Sequence, residues 1–219
     1  MITLYGVYRS RASRPLWLLA ETGTEFTHIP VIQAYRLTND AAREEVLNTS
    51  SPAFLRVNAQ GQIPVLQEDE LILTESLAIT LHIARRHGGP LGPTGDAELS
   101  LMEQWALFAA TSVETPALEI LAALGSGDAS QPEVQAGLGL SAAKLRRPLA
   151  RLESHLASSG WMVGDRFTVA DINAAECLRY AQGHPTLLAE FPAVAGWISR
   201  CQSRPAFREM WAKREAEPA

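Results

Sequence analysis

The chain carries only two cysteines, Cys177 and Cys201, and they stand in no CxxC spacing. That scarcity disfavours a disulfide framework, thioredoxin-type redox chemistry and a thiolate zinc site, and leaves two buried thiols as the expected state. Long Lys/Arg runs are missing too, and the net charge is −5. Phosphate binding needs a concentrated positive surface, so nucleic acid is not an expected partner. No uninterrupted apolar stretch approaches the roughly 20 residues that span a bilayer, and the opening MITLYGVYRSR lacks the basic-then-apolar order of a signal peptide. A cytoplasmic chain without membrane partners is the resulting expectation. His28, His82, His87, His155 and His184 show no HExxH spacing, and neither a Walker nor a dinucleotide glycine pattern occurs. Neither a metal site nor a nucleotide site of those types is therefore expected.

With 47% hydrophobic and 20% charged residues over 219 positions, the chain can bury a substantial core, as one large domain or two small ones. Two textures follow along it. Residues 2–5 (ITLY) and 26–32 (FTHIPVI) read as strands, separated by RPLWLLAETG, an apolar helix with Gly23 as its stop signal. A short helical segment near PAFLRV comes next. IPVLQ and LILT then flank the acidic turn EDE as a hairpin, and ESLAITLHIARRH (75–87) forms a helix closed by Gly88, Gly89 and Pro90. The order βαβαββα, with a strand–helix–strand start that favours parallel pairing, predicts an α/β domain over residues 1–87. GGPLGPTGD (88–96) has the Gly/Pro density of a linker. From residue 97 to 219 apolar residues recur at helical spacing, as in LSLMEQWALFAATSVETPALEILAAL and AAKLRRPLARLESHL, which predicts an all-helical second domain. Within it, RFTVADI predicts a capping box between Thr168 and Asp171, with Phe167 and Ile172 as a hydrophobic staple.

Pro64 sits where a sheet wants an N–H donor. A plain edge proline satisfies that position, and so does a cis proline that turns neighbouring backbone groups outward as docking points. The surrounding VNAQGQIPVL, followed after the hairpin by TESLAI, resembles the glutathione-binding half of the cytosolic glutathione transferases. Their pattern is Asn-Pro-x-Gly-x-Val-Pro-x-Leu, then Glu-Ser opening a helix. Asn58, Gly61, Pro64 and Leu66 fall on it, while Ala59 and Ile63 depart from it. The resemblance implies a thioredoxin-like first domain, glutathione as co-substrate without a metal, a homodimer, and a bacterial, serine-type member of the family. It further implies that Pro64 is cis, that the Ile63 backbone pairs with the cysteinyl backbone of glutathione, and that Glu75 and Ser76 hold the γ-glutamyl end. Helix chemistry supports the last role, because N–H groups at a helix N-terminus favour a carboxylate and Glu75 would accept from an ammonium.

By the same resemblance the thiol-activating residue lies in GVYRSRASRPLW. Ser10, followed by Arg14 four residues on, aligns with the catalytic serine; Ser13, placed as an N-cap before Arg14-Pro15, and Tyr5 are rivals. The chemistry required is modest. A thiol of pKa about 8.5 is about 3% thiolate at pH 7, and lowering it by about two units raises that to roughly three quarters. Nucleophilicity falls by roughly eightfold over the same interval, leaving a net gain of about threefold. Holding a hydrophobic electrophile against the sulfur must therefore carry much of the rate. Trp105, Phe108 and Thr111, at i, i+3 and i+6, are candidates for a substrate pocket in the helical domain, although a core stripe has the same spacing. The polar segment 34–51 reads as a surface loop or as a flap carrying Tyr35 and Arg36. Two other functions stay open: a zeta-type glutathione-dependent isomerase, although Ala12 stands in place of its cysteine, and a non-catalytic interaction module.

Overall fold

Alternation in ITLY means two side chains per face, and that is how the first strand lies. The computed structural model describes residues 1–37, 44–126 and 130–218. In it β1 (Ile2–Tyr5) buries Ile2 and Leu4 on one face and leaves Thr3 and Tyr5 half-buried on the other. Then follow α1 (Ser13–Thr22), β2 (Phe26–Ile29), α2 (Pro52–Leu55), β3 (Val65–Glu68), β4 (Leu71–Leu73) and α3 (Ser76–His87), the expected βαβαββα order. The sheet runs β2-β1-β3-β4, with β1 parallel to β2 and antiparallel to β3, and β4 antiparallel to β3. The second strand is shorter than the expected 26–32. Pro30 has no N–H to give to the ladder, so pairing with β1 stops at Ile29 and Ile32 makes only an isolated bridge to Asn48.

The first helix explains an unexpected arrangement. Leu16, Trp17, Leu18 and Leu19 are all buried in succession, which a helix achieves only when it is covered on more than one side. One cover is α3; the other is α9 (Pro205–Ala216), whose Phe207 meets the Trp17 ring edge-on at 4.8 Å and stacks on Trp211 at 5.5 Å. Contacts accordingly group Met1–Gly89 with the segment from Pro205 onward, and Pro90–Arg204 as a second unit. The sequence reading assigns α9 to the helical domain instead, because nothing local marks which core a helix joins.

The second unit contains α4 (Asp96–Phe108), a π-helical stretch Ala109–Glu114, α5 (Thr115–Gly125), α6 (Pro132–Ser159), α7 (Val169–Leu178) and α8 (Pro192–Gln202). Asp96 to Gly125 is one helical run which, by length and composition alone, is long and apolar enough to cross a bilayer. This departs from the expectation that no stretch approaches that length. The run is punctuated by Glu98, Glu103, Glu114 and Glu119 and buries Met102, Trp105, Val113 and Ile120 inside its own unit. The capping box forms as expected: the Thr168 N–H donates to the Asp171 carboxylate at 2.9 Å, and the Thr168 hydroxyl caps the start of α7. In the expected linker, Gly89–Leu91 make a 3₁₀ turn.

Arg166 fastens that linker. It donates to the carbonyls of Pro90 and Gly92, and its two terminal nitrogens reach the Glu98 carboxylate at 2.9 and 2.7 Å. That bidentate bond, helped by the Thr94 N–H, lowers the Glu98 pKa to about 2 from an ordinary 4.5. A depressed carboxylate contributes stability above its unfolded pKa and loses it as pH falls through the folded value. The pair is partly solvated, so its contribution is about 1 kcal/mol rather than the full shift. Urea denaturation should show Glu98→Gln less stable than wild type by that amount at neutral pH, with the gap closing between pH 4.5 and about 2. A gap that persists unchanged at the acid end would refute the assignment.

Candidate functional site

Four of the five residues assigned to the catalytic and glutathione sites line one small cavity in the first unit. Ile63, Pro64, Glu75 and Ser76 surround about 60 Å³ together with Arg11, Asn58 and Gln62. Each reaches it for a local reason. Asn58 folds the approach: its side chain accepts from the Gln60 N–H at 3.1 Å and donates to the Gln62 carbonyl at 2.9 Å, an Asx-type turn. Gly61 completes the turn at φ 61°, with a Cβ there falling 2.7 Å from the Thr49 carbonyl oxygen, so no larger residue fits. The Ile63–Pro64 bond is cis. Since the β3 ladder begins only at Val65, neither the N–H nor the C=O of Ile63 is hydrogen-bonded among the described residues. Both are available to an extended peptide, the pairing expected of them.

Across the cavity, Glu75 and Ser76 open α3. Glu75 takes φ 65° and ψ 109°, a sparsely populated conformation that costs on the order of 1–3 kcal/mol and is kept only where surrounding structure imposes it. Its carboxylate is exposed and makes no hydrogen bond or ion pair among the described residues. Ser76 is buried at the first helical position, where backbone N–H groups have no intrahelical acceptor. Its Oγ accepts from Arg14 Nη1 at 2.9 Å, and Arg14 is itself only 1% exposed. The sequence marks Arg14 by its spacing from Ser10 alone; here it is a buried cation behind the N-terminus of α3, adding to the helix's attraction for an anion. The site thus offers a negative group, a positive helix end and a free peptide edge, which suits a ligand with an α-amino acid head and an amide backbone.

The loop between β1 and α1 presents the candidate activators. Gly6 has φ 147°, and a Cβ on it would lie 2.8 Å from the Ala12 Cβ and 3.7 Å from both the Ile63 Cβ and the Pro64 Cα. The φ and the close approach to Ala12 call for glycine at this position; the cis-proline segment lies at ordinary van der Waals distance beside it. Ser10 is half-buried in this loop; its Oγ donates to the Val7 carbonyl at 2.7 Å and accepts from the Ala12 N–H at 3.0 Å. Ser13 is not the N-cap but the first helical residue, with Ala12 as N-cap, and it is fully buried. Pro15 follows in the first turn, as its fixed φ favours. Tyr5 points into a separate cluster with Phe54, Val31 and Val65, where its hydroxyl reaches Gln67 at 3.3 Å. The zeta-type cysteine position is occupied by fully buried Ala12.

The remaining assigned residues lie in the helical unit. Trp105 is buried, meeting Phe108 edge-on at 5.5 Å and His155 at 4.7 Å, and Arg151 lies over both Trp105 and Phe108 at 4.8 and 4.5 Å. Thr111, in the π-helical stretch, is exposed and donates to the Leu107 carbonyl at 2.8 Å. Of the 34–51 segment, residues 38–43 lie outside the described residues. Tyr35 is 82% exposed, and Arg36 donates to the Pro218 carbonyl at 2.7 Å.

Comparison with known proteins identifies the family. The family described as "Glutathione S-transferase, N-terminal domain" matches residues 1–85, and "Glutathione S-transferase, C-terminal domain" matches residues 116–205. Glutathione S-transferase 3 of Zea mays is 30% identical, the alignment covering 95% of this chain and 92% of that protein. Elongation factor 1-gamma 3 of Oryza sativa subsp. japonica is 32% identical over 75% of this chain, which spans only 40% of that longer protein. Among solved structures, the theta class glutathione S-transferase from Xanthomonas axonopodis pv. citri with glutathione bound superposes with a TM-score of 0.76 at 25% identity, covering 95% of each chain. The curated relatives named are plant proteins, and they lend no support to the bacterial, serine-type subclass expected from the sequence. The chain belongs to the glutathione S-transferase family, enzymes whose co-substrate is glutathione, and it carries both of the family's domains.

Proposed function

We propose that the protein conjugates glutathione to a hydrophobic electrophile, with Ser10 lowering the pKa of the bound thiol. The observation that carries the reading is that Glu75 and Ser76, the latter bonded from behind by buried Arg14, share one cavity with Ile63, whose backbone is unpaired among the described residues. Glu75 accepts from the α-ammonium of the γ-glutamyl end, while Ser76 and the N-terminus of α3 donate to its α-carboxylate with the Arg14 charge behind them. Ile63 pairs with the cysteinyl backbone, which brings the sulfur to the loop carrying Ser10. There the hydroxyl turns from the Val7 carbonyl to the sulfur and stabilises the thiolate. Ser13 is fully buried and Tyr5 packs in a separate cluster with Phe54, Val31 and Val65, which favours half-buried Ser10 over them for that role. Trp105, Phe108 and Thr111 are the candidates for contact with the electrophile, in a domain running from the end of the linker.

A pH titration of the thiolate absorbance of bound glutathione tests the serine assignment. Ser10→Ala should raise the midpoint by about two units while lowering kcat/KM at pH 7 by only about threefold, since the less ionised thiol is the better nucleophile. An unmoved midpoint would transfer the role to another group.

The similarity to elongation factor 1-gamma supports a second reading, a docking module on the same fold. A docking surface has no need for an unpaired carboxylate in a strained conformation beside a helix N-terminus, so glutathione binding separates the two.

A further inference from the structure

The β1–α1 loop is held from outside by the last turn of α9 and the residues that follow it. The Glu217 carboxylate accepts from two successive backbone N–H groups, Tyr8 at 2.8 Å and Arg9 at 2.7 Å, one to each oxygen. Reciprocal bonds surround this pair. Arg214 Nη1 donates to the Tyr8 carbonyl at 2.7 Å, Arg9 Nε and Nη2 reach the carbonyls of Arg214 and Glu215 at 3.0 and 3.3 Å, and Arg36 donates to the Pro218 carbonyl. The bonds to Tyr8 and Arg9 join sequence positions more than 200 residues apart, and the Arg36–Pro218 bond positions 182 apart, all within one unit; the Phe207–Trp17 contact anchors α9 beneath them. Other charged or titratable groups at this loop include Arg11 and the Tyr8 hydroxyl within it, Lys213, whose ammonium lies 5.9 Å from the Tyr8 ring centroid, Glu209, whose charge acts on Tyr8, and His28, bonded to the Gly6 carbonyl at 2.8 Å.

The bonds made by Ser10 give this clamp its significance. At rest its hydroxyl ties the loop internally by donating to the Val7 carbonyl. A hydroxyl has one hydrogen, so donating to a thiolate means releasing Val7. At that moment the loop loses an internal tie, and its external ties, of which the charge-assisted pair to Glu217 is the strongest, must keep Ser10 in place. We propose that Glu217 is a positioning residue for thiol activation, holding the Tyr8–Arg9 backbone so that Ser10 can give its hydrogen to the sulfur. The proposal rests on the reading of Ser10 as activator.

The sign of one shift distinguishes positioning from a bare charge effect. Removing a nearby negative charge would by itself make a thiolate easier to form and lower the thiol midpoint; losing the position of Ser10 raises it. The experiment is the thiolate titration of glutathione bound to the full chain, with the dissociation constant measured in parallel, for wild type, Glu217→Ala, Glu217→Gln, Ser10→Ala and the Ser10→Ala/Glu217→Ala double variant. Glu217→Ala should raise the midpoint by about one unit, a tenfold loss in the ionisation equilibrium, with glutathione affinity within about threefold of wild type. Glu217→Gln, which keeps one accepting oxygen without the charge, should fall between wild type and Glu217→Ala and guards against misfolding of the alanine variant. The double variant should equal Ser10→Ala, because the two residues act through one bond. A midpoint unchanged or lowered in Glu217→Ala, with Ser10→Ala raised as expected, overturns the proposal alone. A Ser10→Ala midpoint equal to wild type overturns the activator reading and this proposal with it.

Discussion

Asp171→Ala should cost the helical unit about 3–5 kcal/mol, several times the loss expected from Glu98→Gln. Asp171 has no solvent exposure, and its carboxylate accepts from the Thr168 N–H and hydroxyl, from the Met162 N–H at 3.0 Å and from Trp197 Nε1 at 2.8 Å. Burial raises its pKa even against those donors, a measure of how dry the site is. Truncation would strand buried N–H groups on three separate segments, each costing about 1–3 kcal/mol, and would remove half of the capping box. An ordinary capping variant loses only about 1 kcal/mol, so the excess measures what Met162 and Trp197 add. Chemical denaturation of wild type, Asp171→Ala and Thr168→Ala separates these amounts. A loss below about 1 kcal/mol in Asp171→Ala would mean that the carboxylate does no more than cap α7.

Glu75→Ala is expected to weaken glutathione binding by about 30- to 100-fold, the worth of one charge-assisted bond of about 2–3 kcal/mol. The fold should not suffer, because the carboxylate makes no hydrogen bond or ion pair among the described residues. Stability should rise little if at all, since alanine inherits the φ of 65°, a conformation no easier for alanine than for glutamate. Binding and stability therefore move independently, which is how a ligand-holding residue differs from a structural one. Ser76→Ala should act on both, because it also deprives the buried Arg14 of its 2.9 Å acceptor. Comparable affinities for Glu75→Ala and wild type would remove Glu75 from the site.

How much of the fold and the site is legible in the sequence depends on the range of the interaction. Local signals are sound: period-two alternation in ITLY, the stop at Gly23, the hairpin around EDE and the Thr168–Asp171 box all fold as read. The segments proposed to bind glutathione are legible because a short loop with Asn58, Gly61 and Pro64 leaves few ways to turn, and Glu-Ser before a helical run marks its N-terminus. Even locally, Pro30 carries more weight than the strand reading gives it, and β2 stops short of it. Long-range allegiance leaves no trace. That α9 packs on Trp17 follows from a second buried side of α1, hinted at only by the consecutive apolar residues Leu16 to Leu19 in PLWLLA. Arg14 and Glu217 escape notice as functional groups for the same reason. Each is a single charged residue whose partner lies far along the chain, and spacing cannot show that one is buried beneath a serine or that the other meets two distant N–H groups.

The most direct test of the central claim is a calorimetric titration of the wild-type chain with glutathione. Saturable binding at one site per chain, with a dissociation constant between micromolar and low millimolar, is expected from an α-amino acid head held by Glu75, Ser76 and Arg14 and a peptide edge at Ile63. No detectable heat from a chain shown to be folded would contradict it, leaving the cavity without its ligand and the fold as a docking module.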